Sequence, residues 1–328
     1  MRILRAAFAA VLVLATFHVA HAQENETVRV GVLKYGTVNW ELDAMQRAGM
    51  DEKFGIDLEV VPFAGENAST VALQAESVDM IVSDWLWVSR QRADGADYTF
   101  VPYSTSVGSL MIPGDSDVQN LGDLKGKTIG VAGGPLDKNW LLIQALAEKE
   151  YGVDLSAENE IAFGAPPLLA EKARSGELDA VLNFWHYAAR LEAEGFRTLI
   201  SGTEAAMEMG TSGPVAAIGW VFRDSFAEEH PEAVNGFLKA DQATKELLAS
   251  SDEAWQELKP LMKADSEEAF ETLRDRYREG IPSRSGAEEA ADTEKLYEVL
   301  AEIGGEKLVG PSPTLVEGTY FDDTKNGS

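Results

Sequence analysis

The chain has 328 residues, 45% hydrophobic and 25% charged, with 28 basic residues against 55 acidic ones and no cysteine. At roughly 150 residues per domain, that length suggests about two domains, each able to bury its own core. A net charge of −27 provides no basic footprint for nucleic acid or anionic lipid, and the missing thiols exclude disulfides, thiolate metal sites and a cysteine nucleophile.

Met1 to Ala22 reads MRILRAAFAAVLVLATFHVAHA. Arg2 and Arg5 form a short positive region, and Ala6 to Val19 is apolar apart from Thr16 and His18. Ala20-His21-Ala22 fits an A-x-A cleavage site. This is the pattern of a secretory signal peptide cleaved after Ala22. The apolar run is short of the ~20 residues that span a bilayer, and no cysteine follows the cleavage site to carry a lipid. The mature chain begins at Gln23 in this reading, with 26 basic residues left against 55 acidic ones, and is a soluble periplasmic protein.

Beyond the leader, strand and helix patterns alternate. Thr27–Leu33 alternates polar and β-branched residues and predicts a strand; a helix follows over 39–48, capped by Thr37 or Asn39. Strands are predicted at 57–63, 78–83, 99–103, 110–112, 127–131 and 178–184. Helices are predicted at 67–75 (capped by Ser69 or Asn67), 137–150 and 167–175. This rhythm implies an α/β fold with mainly parallel sheets. From Phe226 to Ile303 the pattern turns helical, and no internal repeat is visible.

In open α/β sheets ligands sit at the C-terminal ends of strands. That edge collects Tyr35, Gly36, Thr37 and Trp40 after the first strand, and Asp84, Trp85 and Trp87 after VDMIVS. It collects Gly133, Gly134, Asp137, Lys138 and Trp140 after KTIGV, and Trp185, His186 and Tyr187 after LDAVLNF. Five of the seven tryptophans lie there, which suggests a shared aromatic pocket, although each ring taken alone could be core packing.

The segment LGDLKGKTIGV (121–131) followed by Gly133-Gly134 and a helix resembles the hallmark of periplasmic solute-binding proteins of ABC importers. The group is the one that binds nitrate, sulfonate and taurine and includes the thiamine-pyrimidine precursor (NMT1/THI5-like) binders. VRVGVLKYG, EKFGIDLEVVPF, SVDMIVSDW and RSGELDAVLNFW fit the same group, so the likeness runs from about Thr27 to Leu308. It implies a two-lobed type II periplasmic-binding-protein fold with a ligand cleft between the lobes. Lobe one would be 27–104 plus 215–328 and lobe two 105–214, with crossovers near 103–109 and 210–216. Gly108, Gly210, Gly213 and Pro214 are the expected bending points. It also implies a monomer that closes on a small solute and docks on a membrane permease with its cytoplasmic ATPase.

The ligand chemistry is read from the residues. Gly133-Gly134-Pro135 ahead of a helix N-terminus suits close backbone approach and anion capture. Here, however, Asp137 and Lys138 stand where small hydroxyls would be expected. Asp137 could be an N-cap and Lys138 a surface lysine. Asp84 could accept from an amine while Trp85 stacks on it, or could cap a helix or pair with Arg90 or Arg92. Aromatics plus carboxylates favour a ring- or amine-bearing solute, with an alkanesulfonate or taurine as the alternative. A sensor or accessory protein, or an enzyme using a pair such as His186 with Asp84, is a further alternative on the same fold. No GxGxxG, P-loop, GxSxG or HExxH pattern occurs, and only His186 and His230 remain after the leader. The sequence therefore argues against an enzyme, a cofactor and a metal centre.

Overall fold

The computed structural model describes residues 25–322, so the signal-peptide reading falls outside the described residues. β1 (Glu26–Leu33) buries Val28, Val30 and Val32 and pairs in parallel with β2 (Ile56–Phe63) and β3 (Met80–Ser83). α1 (Val38–Arg47), α2 (Met50–Lys53) and α3 (Glu66–Gln74) make the connections, and α4 (Trp85–Ala93) leads to β4 (Tyr98–Ser104).

Residues 105–108 carry the chain to a second sheet. It is built from β5 (Ser109–Pro113), β6 (Thr128–Ala132), β7 (Glu160–Gly164), β8 (Ala180–Asn183) and β9 (Phe196–Ser201). α5 (Lys138–Tyr151), α6 (Pro166–Arg174) and α7 (Trp185–Ala193) connect these strands. α8 (Gly202–Glu208) precedes the return crossover, and β10 (Ile218–Arg223) completes the first sheet. The remaining helices are α9 (Asp224–Glu229), α10 (Pro231–Ser250), α11 (Asp252–Met262), α12 (Glu267–Glu279) and α13 (Gly286–Val309).

The strand orders are β2-β1-β3-β10-β4 and β7-β6-β8-β5-β9. Neither sheet is mainly parallel, which corrects the sequence expectation: each has two parallel and two antiparallel pairings. The reason lies in the crossovers. β5 and β10 are the strands entered from them, and each runs antiparallel to both its neighbours. The two sheets share one topology although the sequence shows no repeat. Asp79 accepts from the Arg29 backbone N–H and Asp179 from that of Thr128, both at 2.8 Å, so each ties its turn to the first strand of its βαβ unit.

One helix start also differs from expectation. α3 begins at Glu66 behind an extended Gly65, and Ser69 lies inside the helix with its hydroxyl donating to the Glu66 carbonyl. The strands at 160–164, 196–201 and 218–223 were not anticipated.

The core is continuous between the sheets. Ile81 and Phe100 of the first sheet share a buried cluster with Ile129 and Leu182 of the second, bridged by Trp140 on α5 and Tyr297 on α13. A second bridge joins Trp40 and Ala44 of α1 to Ala189 of α7 through Trp255, Phe270 and Tyr277. The C-terminal helices therefore pack against both halves, α13 on α4 and α5, and α12 on α7.

Candidate functional site

Two helix starts face one another across the sheets. Asp84 caps α4, its Oδ1 accepting from the Trp87 N–H at 2.7 Å. Asp137 caps α5, accepting from the Trp140 N–H at 3.0 Å. Lys138, the first residue of α5, donates from Nζ to Asp84 Oδ2 at 2.9 Å. Asp84 follows β3 of the first sheet and Lys138 follows β6 of the second, so this ion pair spans the two. Arg90 and Arg92 turn elsewhere, to the Leu308 carbonyl and to Asp224.

Burial alone would raise Asp84, but Lys138 and the N–H groups of Trp87 and Leu86 outweigh it and hold the carboxyl below its ordinary value. Burial would lower Lys138, and Asp84, Asp137 and Glu66 together raise it. Asp137 is pushed up, chiefly by burial. Gly133 and Gly134 both have φ +86°, and a Cβ on Gly133 would stand 2.6 Å from Asp137 Oδ2. Gly133 therefore makes room for the cap itself.

The structure does not gather the five tryptophans into one pocket. Trp85 is 2% exposed, and its indole N–H is spent on the Ala216 carbonyl at 3.1 Å. Trp140 is 1% exposed within the core, and Trp87 packs on Tyr98 with ring centroids 5.2 Å apart. These three rings pack inward because the first turns of α4 and α5 lie against the continuous core. Trp40 and Trp185 do meet, edge to face at 5.9 Å, one from each side of the cleft. Tyr35 is 80% exposed on the rim, with the ammonium groups of Lys34 and Lys263 at 5.5 and 5.6 Å from its ring. Thr37 takes the N-cap position of α1 without a side-chain capping bond; Asn39 instead donates to the Leu33 and Gly36 carbonyls. His186 lies between Trp185 and Tyr187, and burial, helped by Arg190, lowers its pKa to about 4, so it is neutral at ordinary pH.

A cavity of about 400 Å³ opens beside the first crossover, between α7, α12 and β9. Thr105, Ser106, Ser109, Trp185 and Glu192 line it, together with Arg276, which is paired to Glu192. That volume lies within the range of small-molecule sites. Of the site residues expected from sequence, only Trp185 reaches it. The run STSVGS (104–109), rich in small hydroxyl side chains, is the one sequence signal for this lining, and it fits a plain crossover equally well. Among the described residues no group of three or more acidic, histidine or cysteine side chains could hold a metal. No helix among them is long and apolar enough to cross a membrane.

Two α/β lobes of equal topology, joined by two crossovers and facing each other edge to edge, have the architecture of two-lobed periplasmic binding proteins. The chain is similar to the periplasmic aliphatic sulphonate-binding protein SsuA of Escherichia coli (17% identity, TM-score 0.70, 90% of this chain and 92% of that one). It is similar to the alkanesulfonate-binding protein SsuA of Xanthomonas axonopodis pv. citri bound to MOPS (17% identity, TM-score 0.65, 92% and 99%). An ABC transporter structure from Parabacteroides distasonis is also similar (12% identity, TM-score 0.67, 91% and 99%). No curated protein sequence matches the chain. The sequence model described as NMT1/THI5 like matches residues 45–254, more than half of the chain, and the protein belongs to that family.

Proposed function

We propose that this protein is the solute-binding component of an ABC importer. In this reading a signal peptide cleaved after Ala22 exports it to the periplasm, where it works as a monomer, without catalysis. Its lobes, 27–104 with 215–328 and 105–214, close on a small organic solute by bending at the crossovers and present it to a membrane permease. The observation that carries the reading is the Asp84–Lys138 ion pair, which brings the C-terminal ends of β3 and β6 to contact distance across the two sheets. The likeness in fold to ABC-importer binding proteins supports it.

The solute is ring- or amine-bearing. Glu66, Asp84 and Asp137 all act on the one ammonium of Lys138, so carboxylates outnumber it three to one. An incoming amine would find Asp84 ready to accept once the flexible lysine swings aside, and the Trp40–Trp185 pair offers aromatic faces for a ring or cation. Tyr35, Thr37, Gly133, Gly134 and His186 would form the rim. Trp85 and Trp140 would support the site from the core. An alkanesulfonate is the second reading, favoured by Lys138 itself and by the ligands named for the similar structures.

A thermal-shift panel on the chain from Gln23 to Ser328 tests both readings. A compound at about 100 times its Kd stabilises by roughly 2.7 kcal/mol, a shift of several degrees. Amine or ring hits weakened by Asp84→Asn support the first reading. Sulfonate hits lost in Lys138→Met would replace it with the second, and turnover of any hit would overturn the binding role.

A further inference from the structure

The end of α12, the residues that follow it and the first two turns of α13 together grip both crossovers. Residues 280–285 join α12 to α13. On the first crossover, the Thr105 N–H and hydroxyl donate to the Gly280 carbonyl at 2.8 and 3.2 Å. The Ser106 hydroxyl donates to the Arg276 carbonyl at 3.3 Å. A Cβ at position 280 would lie 1.7 Å from Ser106 Oγ and 2.9 Å from its Cβ, so any larger residue there would have to displace Ser106.

On the second crossover, the Ser212 N–H and hydroxyl donate to Asp292 Oδ2 at 2.9 and 2.6 Å. Arg284 donates to the Pro214 carbonyl at 3.0 Å and to Asp292 at 2.8 Å, and the Ala216 N–H donates to Glu289 at 3.0 Å. Asp292 and Glu289 are fully buried, and Glu289 Oε1 has no hydrogen-bond partner. Burial works to raise Asp292, but Ser212, Lys295 and Arg284 outweigh it and keep the carboxyl ionised. Buried charge is thus committed to the backbone of a segment with no regular structure of its own, far more than an ordinary surface loop requires.

We propose that this elbow, acting through Arg284, Asp292 and Glu289, sets the balance between open and closed lobes whatever solute is bound. The proposal rests on the lobe-closure reading above. Rotation of the lobes turns the crossover backbones, and two crossovers bonded to one elbow must turn together. In this proposal the bonds are made in full only in the arrangement in which Asp84 meets Lys138, so weakening them moves the population toward open lobes. A binder whose competent state is less populated loses affinity by the same factor for every ligand. Arg284 and Asp292 are therefore positioning residues.

The absence of cysteine makes the test direct. Spin labels at Val71→Cys on α3 and Phe163→Cys on β7, both exposed, report the distance between the lobes by pulsed electron resonance. The mature protein is measured first without any solute. Arg284→Ala should lengthen or broaden the distance distribution, Ser212→Ala should do so less, and Arg284→Lys should restore most of the wild-type distribution. Panel hits of different chemistry should then bind Arg284→Ala more weakly by a common factor, on the order of tenfold. Unchanged distances in folded variants would overturn the proposal. Should Arg284→Ala fail to fold, Ser212→Ala decides it alone, since it removes only a hydroxyl. If no solute alters the wild-type distance, the closure-on-solute reading fails; the elbow is judged separately, on the unliganded distances.

Discussion

Lys245 and Lys138 are both lysines set among carboxylates, and they do different work. Lys245 on α10 donates to Glu41 at 2.7 Å and Asp241 at 2.5 Å, with its ammonium 4.3 Å from the Tyr103 ring centroid. The Tyr277 hydroxyl donates to the other oxygen of Glu41, and the Trp220 indole N–H donates to Asp241 at 2.8 Å. Glu41 is 0% exposed, so water reaches neither of its carboxyl oxygens. Lys138 has a single direct partner at 2.9 Å, on the other sheet, and both side chains are more than a quarter exposed. The first cluster cannot open without stranding charge in the core. The second can part along the lobe boundary and be hydrated as it does. The number of partners and the elements that carry them separate a lysine locked inside one buried cluster from one whose ion pair links the ends of β3 and β6.

The largest expected effect separates the two directly. Lys245→Met removes the one ammonium that Glu41 and Asp241 share in the core and should cost about 3–5 kcal/mol of stability, read by urea unfolding. A loss below 1 kcal/mol would mean that the cluster is not the structural centre that its burial suggests.

The pH dependence sharpens the contrast, because the two carboxylates are shifted in opposite directions. Burial, then Asp241, raises Glu41 well above the usual carboxylate range against the pull of Lys245. Folded Glu41 therefore keeps a proton that the unfolded chain releases. Stability from it is full below the ordinary glutamate value of about 4.3 and is lost as pH rises through the higher folded value. Asp84 is lowered, so its stability is full above the ordinary aspartate value of about 3.9 and is lost as pH falls through the lower folded value. Unfolding curves across pH should show Glu41→Gln flattening the decline on the rising-pH side and Asp84→Asn flattening the acid limb. An unaltered slope in Glu41→Gln would mean that this carboxylate is ionised in the folded state.

The same boundary explains what the sequence could and could not reveal. Element order and the caps Asp84 and Asp137 follow from local patterns: alternating valines, acids ahead of helices, glycines after strands. The fate of each tryptophan does not. Trp85 and Trp185 hold the same place in the two matching topologies, directly after β3 and β8. One is buried against α13, and the other faces Trp40. What distinguishes them is the position of a helix some two hundred residues away, which no local pattern records. For the same reason Glu41 passed unnoticed on α1, since its partners Lys245 and Tyr277 come from α10 and α12. Phenylalanine substitutions should separate the pair. Trp85→Phe forfeits the bond to Ala216 and should cost about 1–2 kcal/mol in unfolding with little change in solute affinity. Trp185→Phe should do the reverse, weakening binding and quenching less on solute addition.

The smallest expected change in stability falls on Lys138. Asp84 keeps its capping bond to Trp87 when Lys138 is replaced, and a partly exposed pair contributes only about 0–1 kcal/mol. Lys138→Met should therefore melt close to wild type. Its effect belongs to binding, and the sign names the solute. An amine competes with Lys138 for Asp84, so removing the lysine should tighten amine binding; a sulfonate needs the ammonium and should bind more weakly. A destabilisation as deep as that of Lys245→Met would erase the distinction between the two lysines. The ion pair between the lobes would then be a fixed strut, and the cleft could not open along it.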